Sequence, residues 1–239
     1  MNIAVIFAGG IGKRMNSKAL PKQFLKLHGK EIIVYTLEHF ENHPQIDGIV
    51  ISCVEEWIPF LQKLIRKYDI TKVGNVVPGG RTGQMSIYNG LAAAEKCYGS
   101  HAVVLVHDGV RPLIDGKTIT DSIECVMQYG NAITVAPANE TIVKMSGDFR
   151  IDKIIDRNTC AVARAPQSFW LEELLNAHKR AIDEGKNDFI DSASLMQYYG
   201  YDLKAVLGPV ENIKITTPMD YYTFKALVEA KENSMLYGF

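Results

Sequence analysis

Apolar residues along this chain follow two alternating rhythms. Asn2–Ala8 (NIAVIFA) is a short, continuous apolar run that stops at glycines, the pattern of a strand buried on both faces. Similar runs at Gly48–Val54, Val73–Val77, Ala102–His107 and Ala132–Ala136 predict further strands. Between them, Ile32–Phe40, Trp57–Lys67, Ser86–Cys97 and Thr118–Tyr129 repeat their apolar positions at helical spacing. Strand and helix in turn predict βαβ units, hence an α/β fold with a three-layer, mostly parallel sheet. Helices at Leu171–Glu184 and Asp191–Tyr199, a strand at Asp202–Leu207 and a helix from Pro218 to about Glu232 continue the pattern. No repeat, linker or low-complexity stretch divides the chain, so one domain is expected over 1–239.

One segment breaks the rhythm. Thr141–Met145 and Phe149–Ile155 alternate apolar and polar residues about Ser146-Gly147-Asp148, which predicts a β-hairpin protruding at about 138–158. A lone hairpin is marginal in water and needs a surface to pack on. The pattern leaves open whether that surface is its own domain or a second subunit.

Composition narrows the function classes. The 26 basic and 27 acidic residues nearly cancel, which gives no global reason to expect nucleic acid or an anionic membrane as partner. No apolar run is long enough to span a bilayer, and Met1-Asn2 lacks the basic start of a signal peptide, so a cytoplasmic protein is expected. Cys53, Cys97, Cys125 and Cys160 form no C-x-x-C pair, and His28, His39, His43, His101 and His178 show no ligand or triad spacing.

Candidate chemistry gathers where strands end. Ala8-Gly9-Gly10-Ile11-Gly12-Lys13-Arg14-Met15 follows the first strand, on the edge where open α/β sheets bind ligands. Arg14 after Gly12-Lys13 breaks a Walker A loop, and Met15 breaks a dinucleotide fingerprint that would begin at Gly10. A glycine loop followed by Lys13, Arg14, Lys18 and Lys22 remains, which suits a polyphosphate; the alternative is a plain turn with solvated cations. Pro21 fixes the backbone just before Lys22, in Leu20-Pro21-Lys22-Gln23-Phe24. Asp108, in His107-Asp108-Gly109-Val110-Arg111-Pro112, falls at the end of another buried strand. A carboxylate there suits Mg²⁺, and Arg111 would orient it or contact phosphate; an internal salt bridge is the alternative. Lys214, in Asn212-Ile213-Lys214-Ile215-Thr216-Thr217-Pro218, sits just before a helix start and says little alone.

Taken in order, AGGIGKRM, PKQFL, GG-x₅-S-x-x-NGL, HDGVRP, TIVK, APQSF, DSASL and NIKITTP resemble the cytidylyltransferases that act on methylerythritol phosphate and on ribitol 5-phosphate. The resemblance covers residue 3 to about 230 and implies a Rossmann-like nucleotidyltransferase sheet. It implies that Phe7, Ala8, Gly9, Gly10, Gly12, Gly80, Arg81, Gln84 and Ser86 bind CTP, and that Arg14 and Lys22 are catalytic, stabilising the α-phosphorus and the departing pyrophosphate. It implies Mg²⁺ on Asp108, and Thr141, Arg157 and Lys214, with Arg111, positioning the acceptor. It also implies a homodimer whose hairpin arm completes the partner's site, and a role in isoprenoid or in cell-wall or capsule polymer synthesis. Gly-Gly after Ala8, the spacing of Arg14 and Lys22, and Thr-Ile-Val in the arm lean toward ribitol 5-phosphate; methylerythritol phosphate is the alternative. Departures from the pattern are Gly83 where an arginine is usual, with Arg81 as candidate replacement, and Ala165 and Ile190 where threonines are usual. An oxidoreductase on a doubly wound sheet is the rival of another class; it lacks the third glycine and its acidic partner.

Overall fold

The computed structural model describes residues 1–9 and 20–237. Its main sheet has seven strands: β1 (Asn2–Ala8), β4 (Gly48–Cys53), β5 (Val73–Pro78), β6 (Val103–Asp108), β7 (Asn131–Pro137), β10 (Ala161–Trp170) and β11 (Ala205–Leu207), in the order β11-β7-β10-β6-β1-β4-β5. The pairs β1–β4, β1–β6, β4–β5 and β7–β11 are parallel. β10 alone runs antiparallel, between β6 and β7. Two small antiparallel pairs stand apart, β2 (Lys26–Leu27) with β3 (Lys30–Glu31) and β8 (Ile142–Met145) with β9 (Ile151–Ile155).

Period-two alternation in the strands builds the two cores. In β1, Ala4, Ile6 and Ala8 face one layer while Ile3 and Val5 face the other. The first layer is α1 (Ile32–Glu41), α2 (Ile58–Lys67) and α4 (Gly116–Tyr129); the second is α3 (Gly83–Tyr98), α5 (Leu171–Asp183) and α6 (Ser192–Tyr198). A third cluster around Ile32, Val110, Ile215 and Phe224 fastens α7 (Pro218–Tyr237) to the sheet's ligand edge. Local signals set the helix ends. Asp115 caps α4 by accepting from the Thr118 N–H at 2.7 Å, and Gly130, at φ 87°, closes it with an N–H to the Val126 carbonyl. Thr82 and Asp191 cap α3 and α6 in the same way.

The expected α/β layering, strands and helices are all present, with ends shifted by a few residues. β10 is the main-sheet strand that the apolar pattern does not announce, and the short β2–β3 pair is likewise unannounced. The register of β10 against β7 shifts between Ala163 and Gln167, so residues 164–166 leave the ladder and the alternation is broken there. The arm forms as expected, with β8 and β9 joined across Ser146–Arg150.

Candidate active site

The chain runs from β1 outward through β4 to β5, then returns to place β6 on the other side of β1. The crevice between the ends of β1 and β6 is therefore a topological switch point, where Phe7 stands opposite Asp108. A cleft of about 400 Å³ opens there, lined by Phe7, Ala8, Gly9, Lys22, Gly80, Arg81, Ser86, Asp108 and Lys214, all anticipated as site residues. Gln23, Thr82, Gly83, Val110 and Thr216 are the other described residues of the lining.

Close approach explains the glycines. A Cβ on Gly9 would lie 2.6 Å from Ser86 Oγ, and one on Gly80 would lie 2.3 Å from Met85 Cβ. Ser86 sits in the first turn of α3, where its hydroxyl accepts from the Gly80 N–H at 3.0 Å and donates to the Thr82 carbonyl at 3.0 Å. The two glycine segments thus press against a helix N-terminus, whose N–H groups and dipole favour an anion.

Lys22 is held by its neighbours. Phe24 is fully buried and packs its ring against Trp57 and Phe60, at centroid distances of 5.4 and 5.2 Å. The buried Gln23 amide donates to the Ala8 carbonyl at 2.8 Å, tying this segment to the end of β1. Lys22 Nζ itself donates to the Ile215 carbonyl at 2.9 Å, beside Lys214. Gln23 lies in a motif visible in the sequence, but its partner is a backbone oxygen, which no pattern of side chains reveals.

Asp108 is buried and its two oxygens are divided between two cations. Oδ1 lies 2.6 Å from Lys214 Nζ and Oδ2 accepts from Arg111 Nε at 2.8 Å. Burial alone pushes this carboxyl upward, yet the charges and hydrogen bonds of Lys214 and Arg111 outweigh it and hold the group below the usual carboxylate range. Arg111 also donates to the Asn212 carbonyl at 2.9 Å. His107 beside it is a buried structural ring: burial pushes it down to about 4, and its Nε2 meets the Arg111 carbonyl at 3.1 Å. Among the described residues the cleft lining carries Lys22, Arg81 and Lys214 against one carboxylate, which makes it electropositive and suited to phosphates.

A second chamber of about 260 Å³ adjoins the cleft, sharing Phe7, Gly83, Asp108 and Lys214 with it. β10 and the start of α6 supply its other wall, including Arg164, Ala165, Gln167 and Ser192. Ile190 stands at 89% exposure on the way into α6, while Gln167 donates to Asp191 at 3.0 Å and accepts from the Ala193 N–H. Arg164 was not anticipated, because it sits where β10 leaves its ladder.

Other expected residues lie elsewhere. The buried Gln84 spends its amide on the Lys186 carbonyl and the Phe189 N–H, both at 2.9 Å, so it holds the loop before α6 and does not line the cleft. Thr141 and Arg157 sit at the base of the arm, where Arg157 donates to the Asn139 carbonyl at 3.2 Å; neither lines the cleft or the chamber of its own chain. Gly10, Gly12 and Arg14 fall outside the described residues. A roomier cavity of about 640 Å³, between α1, the start of α4 and α7, is lined by none of the described candidate residues.

Comparison with known proteins agrees with this geometry. Residues 2–230 match the family model "IspD: 2-C-methyl-D-erythritol 4-phosphate cytidylyltransferase". The chain is 50% identical to the ribitol-5-phosphate cytidylyltransferase of Streptococcus agalactiae serotype V, over all of this chain and 99% of that protein. It is 38% identical to the 2-C-methyl-D-erythritol 4-phosphate cytidylyltransferase of Clostridium acetobutylicum, over 98% of this chain and all of the relative. Its fold matches the crystal structure of 4-diphosphocytidyl-2C-methyl-D-erythritol synthase from Anaerococcus prevotii, with a TM-score of 0.83, 24% identity, and coverage of 95% of this chain and 96% of that one.

Proposed function

The chain belongs to the 2-C-methyl-D-erythritol 4-phosphate cytidylyltransferase (IspD) family, and on that premise we propose that it converts CTP and D-ribitol 5-phosphate into CDP-ribitol and pyrophosphate. The observation that carries the reading is the electropositive cleft at the β1/β6 switch point, in a chain 50% identical along its whole length to a ribitol-5-phosphate cytidylyltransferase. Family membership leaves no ground for the oxidoreductase alternative.

In this reaction an oxygen of the acceptor's phosphate attacks the α-phosphorus of CTP. A new P–O bond forms as the bond to pyrophosphate breaks, and no proton need move. Both reactants are anions, so catalysis is chiefly alignment and charge neutralisation. We assign CTP to Phe7–Gly9, Gly80–Gly83, Ser86 and the α3 N-terminus; Gly10 and Gly12, outside the described residues, keep this assignment from the sequence alone. Lys22 faces the phosphates whose charge grows as pyrophosphate departs; Arg14 keeps the same role from the sequence alone. Lys214 and Arg111 bring the acceptor's phosphate to the same edge.

Asp108 fits as a Mg²⁺ ligand. It is ionised, each oxygen keeps a lone pair beyond the one given to Lys214 or Arg111, and Mg²⁺ commonly takes one carboxylate plus substrate phosphates. When bound, the ion would supply further positive charge at the phosphates of CTP. Among the described residues no cluster of three or more metal-type side chains exists, consistent with an ion that arrives with the nucleotide.

The exposed arm supports a homodimer in which Thr141 and Arg157 serve the partner's site. Among the described residues no helix is long and apolar enough to cross a membrane, and a cytoplasmic place in cell-wall or capsule polymer synthesis suits a CDP-ribitol product. The test is pyrophosphate release from CTP with ribitol 5-phosphate, methylerythritol 4-phosphate and glycerol 3-phosphate in parallel. Ribitol 5-phosphate is expected to give the highest kcat/KM; a preference for methylerythritol 4-phosphate would move the chain to the isoprenoid branch.

A further inference from the structure

We propose that Arg164 binds the phosphate of the acceptor in the chamber beside the CTP cleft. The inference rests on the cytidylyltransferase reading and specifies how this chain holds its second substrate.

Three observations carry it. First, Arg164 and Arg111 donate to the same carbonyl, that of Asn212, at 3.4 and 2.9 Å. Two guanidinium groups therefore converge at one point on the chamber wall. Second, their surroundings differ. Arg111 is matched by Asp108 at 2.8 Å, whereas among the described residues Arg164 has no carboxylate within ion-pair distance. Asp191, the other carboxylate of the chamber, accepts from Gln167 Nε2 and from the Ser194 N–H and hydroxyl. Burial, then the nearby charge of Arg111, pushes the Arg164 guanidinium below its ordinary value, which is what an unmatched cation facing another cation does.

Third, the chamber holds buried polar atoms without partners among the described residues. Arg164 Nε is shielded from solvent and makes no hydrogen bond, and the buried Ser192 hydroxyl on the α6 side is in the same condition. Native proteins rarely leave such atoms unmatched, and a ligand that supplies acceptors removes the cost. An anion with several oxygens satisfies all three observations together: it matches the charge of Arg164, separates it from Arg111 and accepts from Nε and from Ser192. The anion this reaction brings to that wall is a phosphomonoester, and guanidinium forks suit phosphate geometry. The chamber opens onto the CTP cleft through Asp108 and Lys214, so a phosphate held there keeps one oxygen on the nucleotide side. The register shift in β10 is what turns Arg164 out of the ladder toward this position.

The experiment measures KM for the acceptor in wild type, Arg164→Ala, Arg164→Gln and Arg164→Lys, using whichever polyol phosphate the wild type turns over best. Arg164→Ala and Arg164→Gln should raise that KM about 10- to 100-fold, the loss of one charge-assisted hydrogen bond. KM for CTP should stay within about twofold, which also shows that the site is folded. Arg164→Lys should recover part of the loss. Inorganic phosphate, tested as a competitive inhibitor against the acceptor, should weaken in the alanine variant by a factor similar to the rise in KM. An unchanged acceptor KM in the alanine and glutamine variants overturns the proposal. So does a raised KM with unchanged phosphate inhibition, because the contact would then be to hydroxyls. A wild type inert with every polyol phosphate would instead refute the cytidylyltransferase reading itself.

Discussion

In the cleft between β1 and β6, groups that face inward are held by other parts of the chain. Ser86 is fixed by Gly80 and Thr82, Gln23 by Ala8, and Asp108 by both Lys214 and Arg111. The β8–β9 arm is built in the opposite way. Phe149 is 91% exposed, Ile151 60% and Ile154 67%, and the arm's ion pairs, Lys144–Asp152 and Arg150–Asp148, lie at the surface. Surface pairs of that kind contribute about 0–1 kcal/mol and do not hold a hairpin in place. The contrast teaches that the cleft is pre-organised within one chain, whereas the arm carries an apolar surface that the described residues of this chain do not cover. Thr141 and Arg157, expected to position the acceptor, sit on the part that is not self-sufficient.

The sharpest break in the comparison is Lys22→Ala. Removing a cation held against the site should lower kcat by about 10³-fold, while Phe24 and Gln23 keep the segment in place and the thermal midpoint within a few degrees. Turnover within tenfold of wild type would remove Lys22 from the mechanism. Next in size is Gly80→Ala. Its Cβ would meet Met85 Cβ at 2.3 Å and Met85 backbone carbon at 2.7 Å, so the loop must shift away from α3. CTP affinity, read by calorimetry, should fall at least about tenfold; unchanged affinity would mean that the glycine segment is only a turn.

How much of this was visible beforehand depends on what held each residue. Asp108 and Lys22 could be found because they end a continuous apolar run or follow a proline, signals that survive in one dimension. Gln84 lay in a recognisable segment and was expected on the nucleotide, yet its amide belongs to the loop at Lys186–Phe189. That contact joins residues about a hundred positions apart, and no local pattern encodes it. Arg164 escaped for another reason. β10 reads AVARAPQSFW, with an arginine, a proline and a glutamine interrupting the apolar run, because the strand is bulged where it lines the chamber. The feature that hides the strand from a periodicity argument is the feature that makes it useful. The arm was legible as a hairpin, but its partner was not, since alternation sets which residues share a face and not what covers them.

Mixing inactive subunits sharpens the comparison directly. If the arm acts on the partner's cleft, Lys22→Ala and Arg157→Ala homodimers are each impaired. A heterodimer of the two keeps one intact site, made of the cleft of one chain and the arm of the other. Random re-association of equal amounts should therefore restore about one quarter of wild-type activity, since half the dimers carry one of two sites. No recovery after exchange, shown complete by mass, would place the arm's residues in their own chain's site, and an Arg157→Ala homodimer of full activity would place Arg157 outside catalysis.

The smallest expected effect concerns the core beneath the cleft. His178 is buried on α5, neither ring nitrogen has a partner among the described residues, and burial pushes it down to about 4. Unfolded, it titrates near 6.5. Between these values the unfolded chain binds the extra proton, so stability falls as pH drops from about 6.5 toward 4, by up to about 1.4 kcal/mol per pH unit from this group. Urea unfolding at pH 6.5 and 5 should show a smaller loss in His178→Leu than in wild type. Equal losses would mean that this ring takes up a proton in the folded state.

The central claim is that this cleft joins CTP to ribitol 5-phosphate. The most direct measurement gives the enzyme limiting CTP, Mg²⁺ and equal amounts of ribitol 5-phosphate and methylerythritol 4-phosphate, and resolves the products by mass. The account predicts CDP-ribitol as the dominant product, with pyrophosphate in equal amount. Dominant CDP-methylerythritol, or CTP left intact, would contradict it.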